Sequence, residues 1–302
     1  MNNKRRLFST LLCVAALTAG LFVSGCGSDK AGGIGSVVSS VVDGGSDEKA
    51  AAKLNTLIDA TNRFNGDNAT WGQNYADSLA KLKGGFQEGA IGRQPHYDTL
   101  KDALEKSKKE GSTFKEVDTE RDNVLNILNE LVPTFKDLKA YDDSKAYMND
   151  GGAKGKELAA KYVAQVEKFD AAYAKFNDAL NKVNTEQTKK QIEKLKKDGK
   201  KGYAAAMEST LRLTTLVENV EKAPKNADKQ AVEKELNEIQ TLLKSINNDR
   251  GEVLVNSYNS VVGSVRQVLT DANENNLNEM IENFNNYIES YNNTTPDQFD
   301  SK

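Results

Sequence analysis

"LAAKYVAQVEKFDAAYAKFNDALNKV", residues 158–183, places Leu158, Tyr162, Val166, Phe169, Tyr173, Phe176, Leu180 and Val183 at steps of three and four. That period is one side of an α-helix, and the lysines and acids of the stretch fall elsewhere around it. An apolar stripe of this length is stable in water only against a partner surface. The stretch therefore predicts a long helix packed along a seam, and the rest of the chain has to supply its partners.

Toward the C-terminus a second segment, 185–221, carries Ile192, Leu195, Tyr203, Ala206, Leu213, Val217 and Val220 at helical spacing, with a bend expected at "DGKKG", 198–202. A glycine inside a helix costs about 1 kcal/mol relative to alanine. Val232, Leu236, Ile239, Leu243 and Ile246 mark another helix, which ends before Gly251. The valine-rich run 252–269 invites a strand, but two-residue alternation fails there. Leu254, Val255, Tyr258, Val261, Val262, Val265 and Leu269 fit a helix instead. Leu277, Met280, Ile281, Phe284, Ile288 and Tyr291 make a last helix, and 293–302 reads as a frayed tail.

Toward the N-terminus, Phe114, Val117, Val124, Leu125, Leu128, Leu131 and Val132 precede Pro133, which is expected to kink or end their helix. Leu100, Ala103 and Leu104 lie on a helix that starts near Pro95 and stops at Gly111, after which Ser112 is placed to cap the next. Residues 84–95 form a loop. Before it, Trp71, Tyr75, Leu79 and Leu82, and Leu54, Leu57, Ile58, Thr61 and Phe64, repeat the helical spacing. The predicted fold is all-α, one elongated bundle of long antiparallel helices over 47–292.

Residues 1–46 differ in kind. Lys4, Arg5 and Arg6 precede the apolar run 7–23, and residues 1–25 contain no acid, which is the layout of a secretory leader. Val23-Ser24-Gly25-Cys26 resembles the bacterial lipobox, in which the cysteine thiol receives a diacylglyceryl group and the leader is cut off in front of it. Cys13 lies within the leader, so cleavage there leaves Cys26 as the single cysteine and no disulfide framework. Two alternatives stand beside lipidation. The run 7–23 is an uncleaved anchor in one, although Ser9, Thr10, Thr18 and Gly20 interrupt it and a span needs roughly 20 predominantly apolar residues. In the other, an ordinary leader peptidase cuts nearby and Cys26 remains a free thiol.

Residues 26–46, dominated by glycine and serine, read as a flexible tether with a reach of roughly 25 Å as a random coil. Within it the valines of 37–42 favour an extended conformation. Gly27, where an aspartate would signal retention, resembles an outer-membrane address if the source has two membranes.

The 302 residues are 28% charged, 38% hydrophobic and 7% aromatic, with a mean hydropathy of −0.64, as in a helix-prone chain with a thin core. Removing Lys4, Arg5 and Arg6 from 41 basic residues leaves 38 against 44 acidic, a formal −6. That balance excludes a nucleic-acid or polybasic membrane footprint.

His96 is the one histidine. No His-rich or thiolate metal site is available, nor a Ser-His-Asp triad with a Gly-x-Ser-x-Gly elbow. The Gly-x-His-x-x-Glu element of imelysin-type lipoproteins is missing too. Glu116, Asp118, Glu120 and Asp122 alternate on a helix and read as a solvated face. "DANEN", 271–275, lacks the glycine and terminal glutamate of a calcium loop. Gly151, Gly152 and Gly155 precede Lys156 at the wrong spacing for a phosphate loop and read as a turn. The sequons at Asn68 and Asn292 carry little weight in a bacterial lipoprotein. No catalytic set and no cofactor are expected.

Residues 140–162, "AYDDSKAYMNDGGAKGKELAAKY", followed by "FDAAYAKFNDALN" at 169–181, resemble the central pattern of the YiiG-like bacterial lipoproteins. "KLNTLIDATNRFNG", 53–66, and "VNSYNSVVGSVRQVL", 255–269, suit the ends of that family. Where its pattern has a histidine after the Glu-Leu step this chain has Ala159, so no role of that histidine carries over. The resemblance implies an all-helical lipoprotein of unresolved function with no catalytic residues to transfer.

The expected function is a non-enzymatic, lipid-anchored bacterial envelope protein, held to the membrane through Cys26. It is a structural or protein-interaction module with an envelope protein as partner. A solute-binding lipoprotein is the alternative, with a cleft lined by Trp71, Tyr75 or the 141–162 region.

Overall fold

The computed structural model describes residues 46–69, 72–92, 95–111 and 114–301. Cys26, the leader, the tether, Trp71, Ser112 and the side chain of Asn68 lie outside what it describes. Among the described residues there are eleven α-helices, a single 3-10 turn and no strand, and the protein is all-α. The expected single bundle over 47–292 divides by its contacts into two compact units, 46–183 and 184–301.

The first unit holds α1 (Ser46–Ala69), α2 (Gly72–Lys83), α3 (Tyr97–Lys109), α4 (Lys115–Asp143), the single turn α5 (Tyr147–Asp150) and most of α6 (Ala153–Lys197). The deciding stripe does what its spacing requires. Tyr162, Val166, Phe169, Tyr173, Phe176, Leu180 and Val183 are buried against Leu57 and Ile58 of α1, Leu79 and Leu82 of α2, Leu100 and Leu104 of α3, and Val124, Leu128 and Leu131 of α4. Leu158 is only partly buried and Ala159 takes the core position beside it. Each large apolar side chain enclosed this way contributes about 1.5–3 kcal/mol.

Three boundaries differ from expectation. Pro133, expected to kink or end its helix, does not end it: α4 runs through it. Proline removes the hydrogen bond to the Asn129 carbonyl, but both residues are exposed, so water can satisfy that carbonyl. No break falls between 183 and 185, and α6 continues for 45 residues. It stops instead at Gly199, φ +78°, where Lys200 N–H donates to the Leu195 carbonyl (2.9 Å) and Gly199 N–H to that of Lys196 (3.3 Å). This is a Schellman stop, which glycine alone enters without steric cost.

The second unit comprises the end of α6, α7 (Lys201–Lys222), α8 (Lys229–Lys244), α9 (Asp249–Thr270), α10 (Glu274–Asn292) and α11 (Pro296–Phe299). The valine-rich run is helical, as the three-and-four spacing requires. Helix α7 is buried on most of its circumference, from Tyr203 and Ala206 through Thr210 and Leu213 to Val217 and Val220. It packs against α8, α9, α10 and α11. Arg212 on its remaining face grips Glu235 of α8 through two hydrogen bonds, 2.6 and 2.8 Å, and also reaches Glu238.

Residues 293–301, expected to fray, are packed. Thr295 and Gln298 form a capping box that starts α11. Phe299 is 2% exposed and stacks between Tyr203 and Tyr291, 5.9 Å from each. The physical reason is an aromatic side chain near the end of a polar segment. Enclosing it repays the entropy of ordering a few residues.

Candidate functional site

The aromatic residues singled out by sequence go to two places in the first unit. Tyr75 of α2 and Tyr162 of α6 come together through a third phenol, Tyr97 of α3. The Tyr75 and Tyr97 hydroxyls are 2.8 Å apart, and Tyr162 hydrogen-bonds to Tyr75. Burial pushes all three phenols far above their ordinary range, so they stay protonated at neutral pH. Tyr97 meets Phe169 edge-on at 4.9 Å, and Phe64 meets Tyr173 edge-on at 5.3 Å. These rings fill the core of the unit, and the three phenols line no cleft. At the edge of the group, burial pushes the Asp170 carboxyl up to about 7; Lys83 opposes the shift and Glu167 adds to it.

Tyr141 and Tyr147 lie apart from Tyr162, at the glycine turn, where they pack on Phe86 of the 84–92 loop at 5.2 and 5.8 Å. The Tyr141 hydroxyl donates to Asp150 Oδ1 at 2.5 Å. The same carboxylate accepts the backbone N–H groups of Gly152 and Lys154, and these hydrogen bonds, Tyr141's first, hold it below the usual carboxylate range. Glycine at 155 is a packing requirement, because a Cβ there would lie 2.6 Å from both the Phe86 and Tyr141 rings. The 141–162 region is thus two separate clusters, one of them a closed turn.

Three of the four acids of the run on α4, Glu116, Asp118 and Asp122, are held in ion pairs. Asp118 and Asp122 flank Arg121 at 2.7 and 3.0 Å, Lys108 reaches Asp122 at 3.0 Å, and Lys182 of α6 reaches Glu116 at 2.9 Å. The Arg121 side chain is only 5% exposed, a burial that charge pairing makes tolerable. In "DANEN", Asp271 closes α9 and the Asn273 side chain caps α10 by accepting the Asn276 N–H at 2.9 Å. The segment is a helix-to-helix turn.

The open feature of this unit was not legible beforehand. A cleft of about 280 Å³ lies between α1 and α3, lined by Thr56, Asp59, Arg63, His96, Thr99 and Lys106, with Phe64 and Leu100 beneath. His96 stands at the N-cap position of α3 without capping it through its side chain. Partial burial pushes the Asp59 carboxyl up to about 6, against the nearby charge of Arg63. In sequence, Asp59 and Arg63 look like an ordinary exposed pair four residues apart. The second unit has a groove of about 300 Å³ between α8 and α9, lined by Asn237, Gln240, Asn259, Gly263 and Arg266. Arg266 is already held there by Glu233 at 2.7 Å.

Among the described residues no helix is long and apolar enough to cross a membrane, and no group of three or more His, Cys, Asp or Glu side chains is gathered as for a metal ion. No curated protein and no solved structure matches the chain. Residues 48–301 match the family described as "Protein of unknown function (DUF3829)", and the chain belongs to that family.

Proposed function

We propose that this chain is a YiiG-like bacterial lipoprotein, anchored outside the cytoplasm by acyl chains on Cys26, whose helical domain serves as a non-enzymatic interaction module for another envelope protein. One observation carries the anchor. The basic, apolar and small-residue pattern ending at Cys26 is followed by a glycine-serine stretch, and the family match begins at 48, where that stretch ends. Each buried acyl CH₂ contributes about 0.8 kcal/mol, so two or more chains hold durably where one binds reversibly. The interaction role is supported by cores filled with their own aromatic rings and by helix faces rich in charge, with Met148 standing 76% exposed on α5.

Mass spectrometry of protein purified from its host should find residue 26 as the first residue, carrying a diacylglyceryl thioether. Cys26→Ala should move the protein from the membrane to the soluble fraction or leave it unprocessed. An unmodified residue 26, or residues 1–25 still attached, removes the anchor. For the partner, a photo-crosslinking residue at Met148 should give one discrete adduct in intact cells, and repeated absence of any adduct from this and other exposed helix positions counts against the interaction role.

A further inference from the structure

The cleft between α1 and α3 is built from two matched rows. Thr56, Asp59, Ala60 and Arg63 are spaced three and four apart on α1; His96, Thr99, Ala103 and Lys106 keep similar spacing from the start of α3. Each row is therefore one helix face. Ala60 and Ala103 place methyl groups where larger side chains would close the gap, and buried Phe64 and Leu100 form an apolar floor. The resulting 280 Å³ lies near the lower end of the about 300–1,000 Å³ typical of ligand pockets. It suits a molecule the size of an amino acid.

The charges along it are unusual in one respect. Asp59 and Arg63 are opposite in sign and four residues apart, the spacing at which helix neighbours pair. At that spacing Lys101 closes on Glu105 at 2.6 Å and Lys139 on Asp143 at 2.7 Å. Among the described residues, Asp59 and Arg63 form no such bridge, and neither has a hydrogen bond. Lys106, farther along, has one long contact, to Glu110 at 4.0 Å. A carboxylate and a guanidinium are thus presented separately over an apolar floor.

We propose that this cleft binds a free α-amino acid, with the ligand's carboxylate on Arg63, its ammonium on Asp59, and a small side chain over Ala60, Phe64, Leu100 and Ala103. A guanidinium meets a carboxylate through two parallel hydrogen bonds, which fixes orientation as well as charge. The ligand's ammonium gives the half-buried Asp59 the direct ion pair that it does not make among the described residues. The assignment is independent of the lipid anchor and of any protein partner.

The test uses the full-length protein in mild detergent, with L-alanine, L-serine and L-valine as probes, and acetate and methylamine as molecules carrying one charged group each. Calorimetry should show saturable binding of L-alanine with acetate and methylamine weaker by about tenfold or more, and Asp59→Asn and Arg63→Gln should each weaken L-alanine by about tenfold. Ala103→Leu fills the cleft without touching a charge and should abolish binding while leaving the melting temperature in place, so the assignment stays testable if a charge variant folds poorly. Acetate binding as tightly as L-alanine, unchanged affinity in Asp59→Asn or Ala103→Leu, or no heat with any amino acid at millimolar concentration overturns it.

Discussion

At Asp170 a single carboxyl is pulled two ways. Its stem belongs to the buried face of α6, close to the phenols of Tyr75, Tyr97 and Tyr162, while Lys83, already bonded to Glu167 at 2.7 Å, offers it incomplete compensation. Burial pushes the group up to about 7 from the ordinary 3.8. Below about pH 4 it is protonated in folded and unfolded chains alike. Between there and 7 the unfolded chain ionises and the folded one does not, so its contribution to stability falls as pH rises through that window and levels off above it. Asp170→Asn removes that loss and should stabilise the protein at pH 8 by about 1–3 kcal/mol. The gain should vanish near pH 4, as read from denaturant midpoints of both proteins at the two pH values. Sequence placed Tyr75 and Tyr162 correctly on apolar stripes. It did not show that Tyr97 would join them or that Asp170 would border them, because periodicity gives the direction a side chain faces along its own helix and says nothing of which helix comes to meet it. Arg121 was missed for a related reason: its burial depends on Asp118 and Asp122 neutralising it locally.

Among the elements, the helices themselves were legible and their ends were less so. The stripes on α4, α6, α8, α9 and α10 are long and regular, and a regular stripe fixes helix type. Ends depend on a few backbone groups. Gly199 marked its place as a bend in the sequence and proves to be a stop, because glycine is the residue that the left-handed position of a Schellman turn favours. The equivalent stop at the end of α4 carried no such mark, since there the left-handed residue is Lys145, φ 55°. Ala146 N–H donates to the Tyr141 carbonyl (3.1 Å) and Lys145 N–H to that of Asp142 (2.9 Å), so the motif is complete despite the side chain. A left-handed conformation costs a residue with a Cβ roughly 1–2 kcal/mol, and glycine's greater freedom when unfolded offsets part of that. Lys145 is exposed and its side chain has no partner among the described residues. Lys145→Gly should therefore raise stability by about 0.5–1 kcal/mol, measurable as an upward shift of the melting temperature. A decrease would mean that the lysine side chain holds a contact worth more than the strain.

At the scale of the whole molecule, fold class was readable throughout, whereas the division at 183/184 was not: it falls inside a continuous helix, with no change of composition to mark it. The packed C-terminus was likewise hidden, because its ten residues are mostly polar and only Phe299 hints at burial. That segment does three jobs at once in the second unit. Phe299 fills the space between Tyr203 and Tyr291. The Asp300 carboxylate accepts the Gly202 N–H at 2.6 Å, at the exposed start of α7 where backbone donors have no helical partner. Asn248, while capping α9 through its side-chain oxygen, donates its amide to the carbonyls of Gln298, Phe299 and Ser301 at 3.0–3.1 Å. The approach is close enough that a Cβ on Gly202 would lie 2.1 Å from the Phe299 carbonyl oxygen. Losing the cap alone, in Asp300→Ala, should cost about 1 kcal/mol, whereas Phe299→Ala opens a cavity between two aromatic rings and should cost about 3–5 kcal/mol. Hydrogen exchange separates this docking from a loosely lying tail. Docking requires that Phe299→Ala accelerate exchange at the first turns of α7 and α9, more than forty residues away in sequence, and a variant whose amides at 202–206 and 251–254 keep their protection would show that those helices hold their ends without it.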